Sequence, residues 1–249
     1  CAALFRTRRE PRSYDEAVTR RFGSTLNRIF YAPYAEKVWG CPPSELSAIQ
    51  QSGANLIFTI FSSSVGITFA RQAGELKVPA FQVGINVEAQ KDGFWEATKG
   101  MGNYVFTMNT YARGVEQNEL TQPFVGAFIQ RFKETPTYTS DTYHAIRYAL
   151  TPSIEAVGSL DASKIVAYLE NREYKVPSGV VKYEKDEKGN PTHDLTWGPG
   201  YLTSVGVQWQ DGHLVGVWPN RWKATPTSAE ITYRGVVPLK VPPWMKKQP

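Results

Sequence analysis

Chemistry on a substrate needs groups that exchange protons, attack an electrophile or hold a metal, and in this sequence such groups stand apart. His144, His193 and His213 lack the His or carboxylate spacing of a zinc site, and Cys1 and Cys41, forty positions apart, make no metal knuckle. The serines at 62–64 precede a helical pattern but lack the lysine and glycines of a phosphate loop, and neither GxGxxG nor GxSxG occurs. No catalytic constellation and no cofactor is therefore expected. Recognition is better served. A hydroxyl, Ser62, follows one apolar run, and an amide and a carboxylate, Asn86 and Glu88, follow the next. In open parallel sheets ligands sit in the crevice at the carboxyl ends of strands, where such groups would converge. Each has a plainer alternative: a helix cap for Ser62, a turn for Asn86 and a solvated loop charge for Glu88.

The elements that would position these groups are legible as a change of period. Residues 56–61 form a short apolar strand, residues 65–76 a helical stretch and residues 78–83 a second strand, a strand-helix-strand crossover that implies a parallel α/β sheet. Residues 104–108 read as another strand. Thr121 and Pro123 then open a helix in which Phe124, Phe128 and Phe132 fall four apart, an aromatic stripe facing a core. Helices are expected over residues 140–157 and 161–171, the second capped by Asp161, and strands over 179–183, 201–208 and 214–218, the last two joined as a hairpin through Gln210, Asp211 and Gly212. Residues 13–45 are helical in character, with Asp15 and Glu16 in a first turn and Ala17, Val18, Phe22, Leu26, Ile29 and Phe30 at three- and four-residue spacing. The last thirty residues, rich in Pro and Lys, show no period and read as an extended tail.

Length and composition frame the rest. The chain has 249 residues, 41% hydrophobic and 20% charged, enough to bury one or two cores as a soluble folded protein. Its net charge of +5 raises nucleic acid as a partner, but bases and acids interleave in the centre. The dense basic clusters lie at the ends, Arg6, Arg8, Arg9 and Arg12 at one and Lys246 and Lys247 at the other, which reads as solvated termini and no nucleic-acid partner. Cys1 has the position of a lipid-bearing residue in a processed lipoprotein, although an Arg-rich stretch is not the usual tether. With no charged-then-apolar signal segment ahead of it, the expectation is that the chain begins inside something larger.

From residue 49 to residue 219 an ordered series of motifs resembles the type I solute-binding proteins of ABC importers, the branched-chain amino acid, amide and urea group. The series runs SGAN from Ser52, ARQAGELKVP from Ala70, GINVEAQ from Gly84, FWEAT from Phe94, TQPFVGAFIQRF from Thr121, PTYTSDTYHAIRYAL from Pro136, PSGVVKYE from Pro177, WGPGYLTSVGVQWQDG from Trp197, and GVWP ending at Pro219. The resemblance implies two α/β lobes joined by crossovers, a ligand trapped between them, a periplasmic or membrane-anchored extracytoplasmic place, ABC permease subunits as partners and no enzyme activity. On that pattern residues 49–110 and 177–219 belong mainly to lobe two and residues 111–175 supply helices of lobe one, while the strands of lobe one are missing. The fold expected is thus an incomplete type I periplasmic-binding-protein fold, a mostly parallel sheet with flanking helices, preceded by a short helical segment and followed by a tail over residues 220–249.

The same alignment implies a ligand contact set of Phe61, Ser62, Asn86, Glu88 and Tyr143: Phe61 and Ser62 at one strand end, Asn86 and Glu88 past the next with Glu88 meeting an ammonium group, and Tyr143 covering the solute's apolar part near the hinge. With half the site absent, binding of leucine or short amides is expected to be weak. Phe124, Phe128 and Tyr148 are expected to stand exposed or under the N-terminal helices. Residues 1–48 differ. RRFGSTLNRIFYAPYAEKVWGCPPSELSA, from Arg20, resembles a piece of an FAD-dependent amine oxidoreductase of the protoporphyrinogen oxidase kind, without the dinucleotide-binding glycines needed to hold flavin. An oxidoreductase fragment joined to an unrelated tail is the rival reading.

Overall fold

The computed structural model of the chain describes residues 14–31, 53–198, 200–223 and 225–245. The first helix, α1 (Tyr14–Phe22), carries Asp15 and Glu16 in its first turn and Arg20 and Arg21 in its last, the arrangement the helix dipole favours. A short α turn (Ser24–Leu26) and a π turn (Asn27–Tyr31) continue it. Asn27 ties this piece together: its buried amide nitrogen donates to Asp15 Oδ1 at 2.7 Å and to Thr19 Oγ1 at 2.8 Å. The helical expectation for residues 32–45 lies outside the described residues.

Strand β1 (Leu56–Phe61), helix α2 (Val65–Glu75) and strand β2 (Phe81–Asn86) form the crossover. The two strands pair in parallel, Leu56 beside Phe81 and Phe61 beside Asn86. Gly66, Ala70 and Ala73 are the buried face of α2, small residues that let a helix lie close. Gly84 is required where β2 crosses Thr59: its φ is +126°, and a Cβ there would stand 2.3 Å from the Thr59 carbonyl oxygen. The strand begins three residues later than expected, because Val78 closes the helix by donating to the Ala73 carbonyl at 2.9 Å.

Strand β3 (Phe106–Asn109) lies alongside β2, with Phe81 and Phe106 ring centroids 6.5 Å apart and the Asn86 N–H donating to Thr107 Oγ1 at 2.9 Å. On its other side β3 pairs antiparallel with β7 (Val205–Gln210), which pairs antiparallel with β8 (His213–Trp218). Every residue of β7 is buried. Trp209 anchors one core cluster with Ala70, Ala89, Phe94 and Val105, and its indole N–H donates to the Ala89 carbonyl at 2.8 Å. The β7–β8 turn places Asp211 at φ 53° and Gly212 at φ 89°, the two positive values of a tight hairpin whose twist matches its strands. A third group, β4 (Glu173–Val176), β5 (Gly179–Lys185) and β6 (Pro191–Leu195), is antiparallel throughout.

The fold class is the expected α/β one, but the described strands form one parallel pair and two antiparallel three-stranded sheets and not a mostly parallel sheet. Among the described strands β1 and β2 alone pair in parallel, and the other four strand pairings are antiparallel. Two-residue connections such as Asp211-Gly212 reverse a chain and leave no length for the crossover that a parallel neighbour needs.

The helical layer consists of α3 (Phe94–Ala97), α4 (Thr121–Phe132), α5 (Asp141–His144), a π-helical segment (Ala145–Leu150), α6 (Thr151–Val157) and α7 (Ala162–Leu169). Asp161 caps α7, its carboxylate accepting from the Lys164 N–H. Phe124, Phe128 and Phe132 stack in a row with centroids 5.9 and 4.6 Å apart, but the stripe does not face a core along its whole length: Phe132 is 54% exposed. Phe124, Phe128 and Tyr148 are not exposed: each is half-buried, and Phe124 and Tyr148 pack on His144 at 4.3 and 5.8 Å. Apolar side chains left open include Phe58 at 67% and Ile60 at 72% on β1, Tyr143 and Ile146 on the helices and Leu160 in the loop before α7. The tail is extended yet docked. The Trp244 indole N–H donates to the Val78 carbonyl at 3.0 Å, and Gln208 exchanges hydrogen bonds with the backbone of Lys240. No described helix is long and apolar enough to cross a membrane.

Candidate functional site

The parallel register sets Phe61 directly beside Asn86, so the ends of β1 and β2 share one edge. Phe61 is half-buried, its ring 5.2 Å from Phe69 of α2, and Ser62 is exposed on the turn that follows. Ser62 does not cap α2: Ser64 occupies that position and makes no side-chain cap bond. Asn86 is 1% exposed and fully engaged. Its Nδ2 donates to the Gly66 carbonyl at 3.2 Å, its Oδ1 accepts from the Ala89 N–H at 3.4 Å, and its backbone exchanges hydrogen bonds with the Thr107 hydroxyl. Asn86 thus brackets β1's helix, β2 and β3 into a single edge. Glu88 opens a 3-10 turn (Glu88–Gln90) and is paired with Lys91 at 2.8 Å.

Where β3 ends, a second set of polar groups begins. The Thr110 hydroxyl donates to Asp141 Oδ2 at 2.8 Å, and the Tyr111 hydroxyl to Asp141 Oδ1 at 2.7 Å. The Tyr111 oxygen lies 2.9 Å from His144 Nδ1. Burial, reinforced by the Asp141 carboxylate, pushes the Tyr111 hydroxyl far above its usual pKa, so it stays protonated. The cluster joins β3 to the first turn of α5 and borders a cavity of about 350 Å3, whose wall includes Ala149, Val181, Leu195 and Trp197. Tyr143 stands next to His144, with ring centroids 5.7 Å apart, and is 58% exposed.

Sequence reasoning treated His144 as a solitary histidine and did not find Tyr111, Thr110 or Asp141. Their separations of 33 and 31 residues carry no periodic signal; the one available hint was the acidic residue at the start of a helix. His193 is paired with Glu170, far along the chain on β6. Among the described residues no group of three or more His, Cys, Asp or Glu could hold a metal ion.

A family model described as periplasmic binding protein matches residues 21–198, and the chain belongs to that family. The family is one of solute-binding proteins and not of enzymes. The match begins at Arg21, inside the stretch whose motifs resemble an amine oxidoreductase. Solved structures with the same fold include a leucine binding protein from Thermotoga maritima, 18% identical over 70% of this chain and 46% of that one, with a TM-score of 0.52. A solute binding protein of an ABC transporter from R. palustris, in complex with benzoate, is 17% identical over 78% of this chain and 48% of that one, with a TM-score of 0.52. An ABC transporter substrate-binding protein from Sphaerobacter thermophilus is 15% identical over 86% of this chain and 50% of that one, with a TM-score of 0.51. The chain thus spans about half the length of the structures it resembles. No curated protein sequence matches it.

Proposed function

We propose that the chain is an extracytoplasmic solute-capture component of an ABC importer, or part of one, that takes amino acids, amides or urea-like solutes and delivers them to permease subunits. The observation that carries this reading is the shared edge: in a fold of the periplasmic-binding-protein family, the ends of β1 and β2 meet in register at Phe61 and Asn86, the place where α/β sheets hold ligands. Ser62 offers an open hydroxyl and Phe61 an apolar wall. Glu88 supplies a carboxylate to a solute ammonium, exchanging its Lys91 partner for the ligand in a charge-assisted hydrogen bond. Asn86 serves by fixing the edge, and Tyr143, whose ring is exposed, covers the solute's apolar part.

Thermal unfolding in millimolar amino acids, short amides and urea tests the proposal, because a ligand that binds only the folded state raises Tm by mass action. One solute class is expected to raise Tm, and Glu88→Ala to abolish that rise while leaving the unliganded Tm unchanged. A panel without effect, or a rise indifferent to Glu88→Ala, would remove the basis for this site.

A further inference from the structure

Because β1 and β2 pair in parallel register, their side chains alternate together between two faces. One face is covered by α2: Thr59 is buried, Asn86 donates to the Gly66 carbonyl, and the Phe61 ring packs on Phe69. The other face carries Leu56, Phe58 and Ile60 of β1 beside Phe81, Val83 and Ile85 of β2. All six are apolar, so nothing on this face gains from being wet. It is nevertheless open, with Leu56 52%, Phe58 67%, Ile60 72% and Ile85 44% exposed. At roughly 200 Å2 for a fully exposed large apolar side chain, these four present on the order of 500 Å2 of contiguous apolar surface, the size of patch that marks an interaction site on a monomer.

We infer that this face is a self-association surface, on which a second copy of the chain seats the same face across a two-fold axis. Two such strips set about 10 Å apart interdigitate their side chains as the layers of a β-sandwich do. Together they take about 1,000 Å2 out of water, the area a specific interface must reach. A second copy is the occupant the patch fits, because an isologous contact asks only that the surface complement itself. It does so here: six apolar positions meet six, and neither strip brings a carboxylate, an ammonium or an amide that would be buried without a partner. The side chains of Phe61, Ser62, Asn86, Glu88 and Tyr143 take no part, so the inference goes beyond the strand-end site proposed above and stands or falls separately from it.

The test is sedimentation equilibrium of the full chain over a range of concentrations. A reversible step from one to two copies of the 27.9 kDa chain is expected, complete by about 100 μM. Phe58→Glu puts a carboxylate at the middle of the strip and is expected to weaken dimerisation at least about tenfold, because each charge would face its own copy across the interface. Phe58 is exposed in the single chain, so the variant should keep its fold, checked by circular dichroism, and Ile60→Lys serves as a second variant with the opposite charge. Leu160→Glu, at a residue 81% exposed off this face, controls for the general effect of removing surface apolar area and is expected to leave the dimer intact. A chain that stays monomeric at about 100 μM, an open-ended series of larger species in place of a closed dimer, a dimer that survives both Phe58→Glu and Ile60→Lys, or one that Leu160→Glu dissolves equally would each overturn the inference.

Discussion

At Asn86 an amide that the motif pattern places in a crevice turns out to be a bracket between three elements. Replacing it by alanine removes the amide's bonds to the Gly66 carbonyl and the Ala89 N–H in a buried place, while the backbone bonds to Thr107 remain. Asn86→Ala should therefore lower unfolding free energy by roughly 1–3 kcal/mol, measured from the urea midpoint. Tyr143→Ala, at a side chain 58% exposed, should stay within about 0.5 kcal/mol of the parent, so any loss of solute binding there would be separable from folding. An Asn86→Ala midpoint equal to the parent's would contradict the bracket. The contrast shows what a sequence can carry at this scale. The strand-end position of Asn86 follows from alternation and length, whereas its partners Gly66 and Thr107, 20 and 21 residues away, are set by how the helix and β3 fold back.

Among the elements, those announced by a local device were legible and those created by pairing were not. β1 coincides with the apolar run, and Asp161 caps α7 as its type and place require. Asp161→Ala should cost about 1 kcal/mol, read as a fall in thermal midpoint. The β7–β8 turn was equally plain from Asp211 and Gly212. Strands β4 and β6 were missed, because Glu173–Val176 and the fully exposed Pro191–Leu195 carry little apolar alternation and owe their form to β5 between them. The docking of the tail was also hidden, since Trp244 and Lys240 answer groups more than a hundred and about thirty residues earlier. Lys240 lies 2.7 Å from Asp211 and holds its carboxyl below the usual range, chiefly through their hydrogen bond. A depressed carboxylate pKa contributes stability above the unfolded value of 3.8 and loses it as pH falls through the folded value. Protection of the tail against proteolysis should accordingly weaken below about pH 4, and Lys240→Met should flatten that dependence. A pH profile unchanged in the variant would sever the link.

For the molecule as a whole, two observations bear on how much of a solute site it holds. The chain spans about half the length of the structures it resembles. It also leaves Phe58 and Ile60 on β1 and Ile146 in the π-helical segment open to solvent, faces that in a layered α/β fold are covered. On the reading proposed here the strand-end edge is one jaw of a clamp. One jaw supplies Glu88 for an ammonium but leaves the solute's other face in water, where charge-assisted hydrogen bonds are worth least. Calorimetric titration of the chain with leucine and with short amides tests this most directly. The account predicts dissociation constants weaker than about 1 μM, with the residual affinity lost in Glu88→Ala. A constant of 1 μM or tighter would contradict it, because the site would then be complete within this chain.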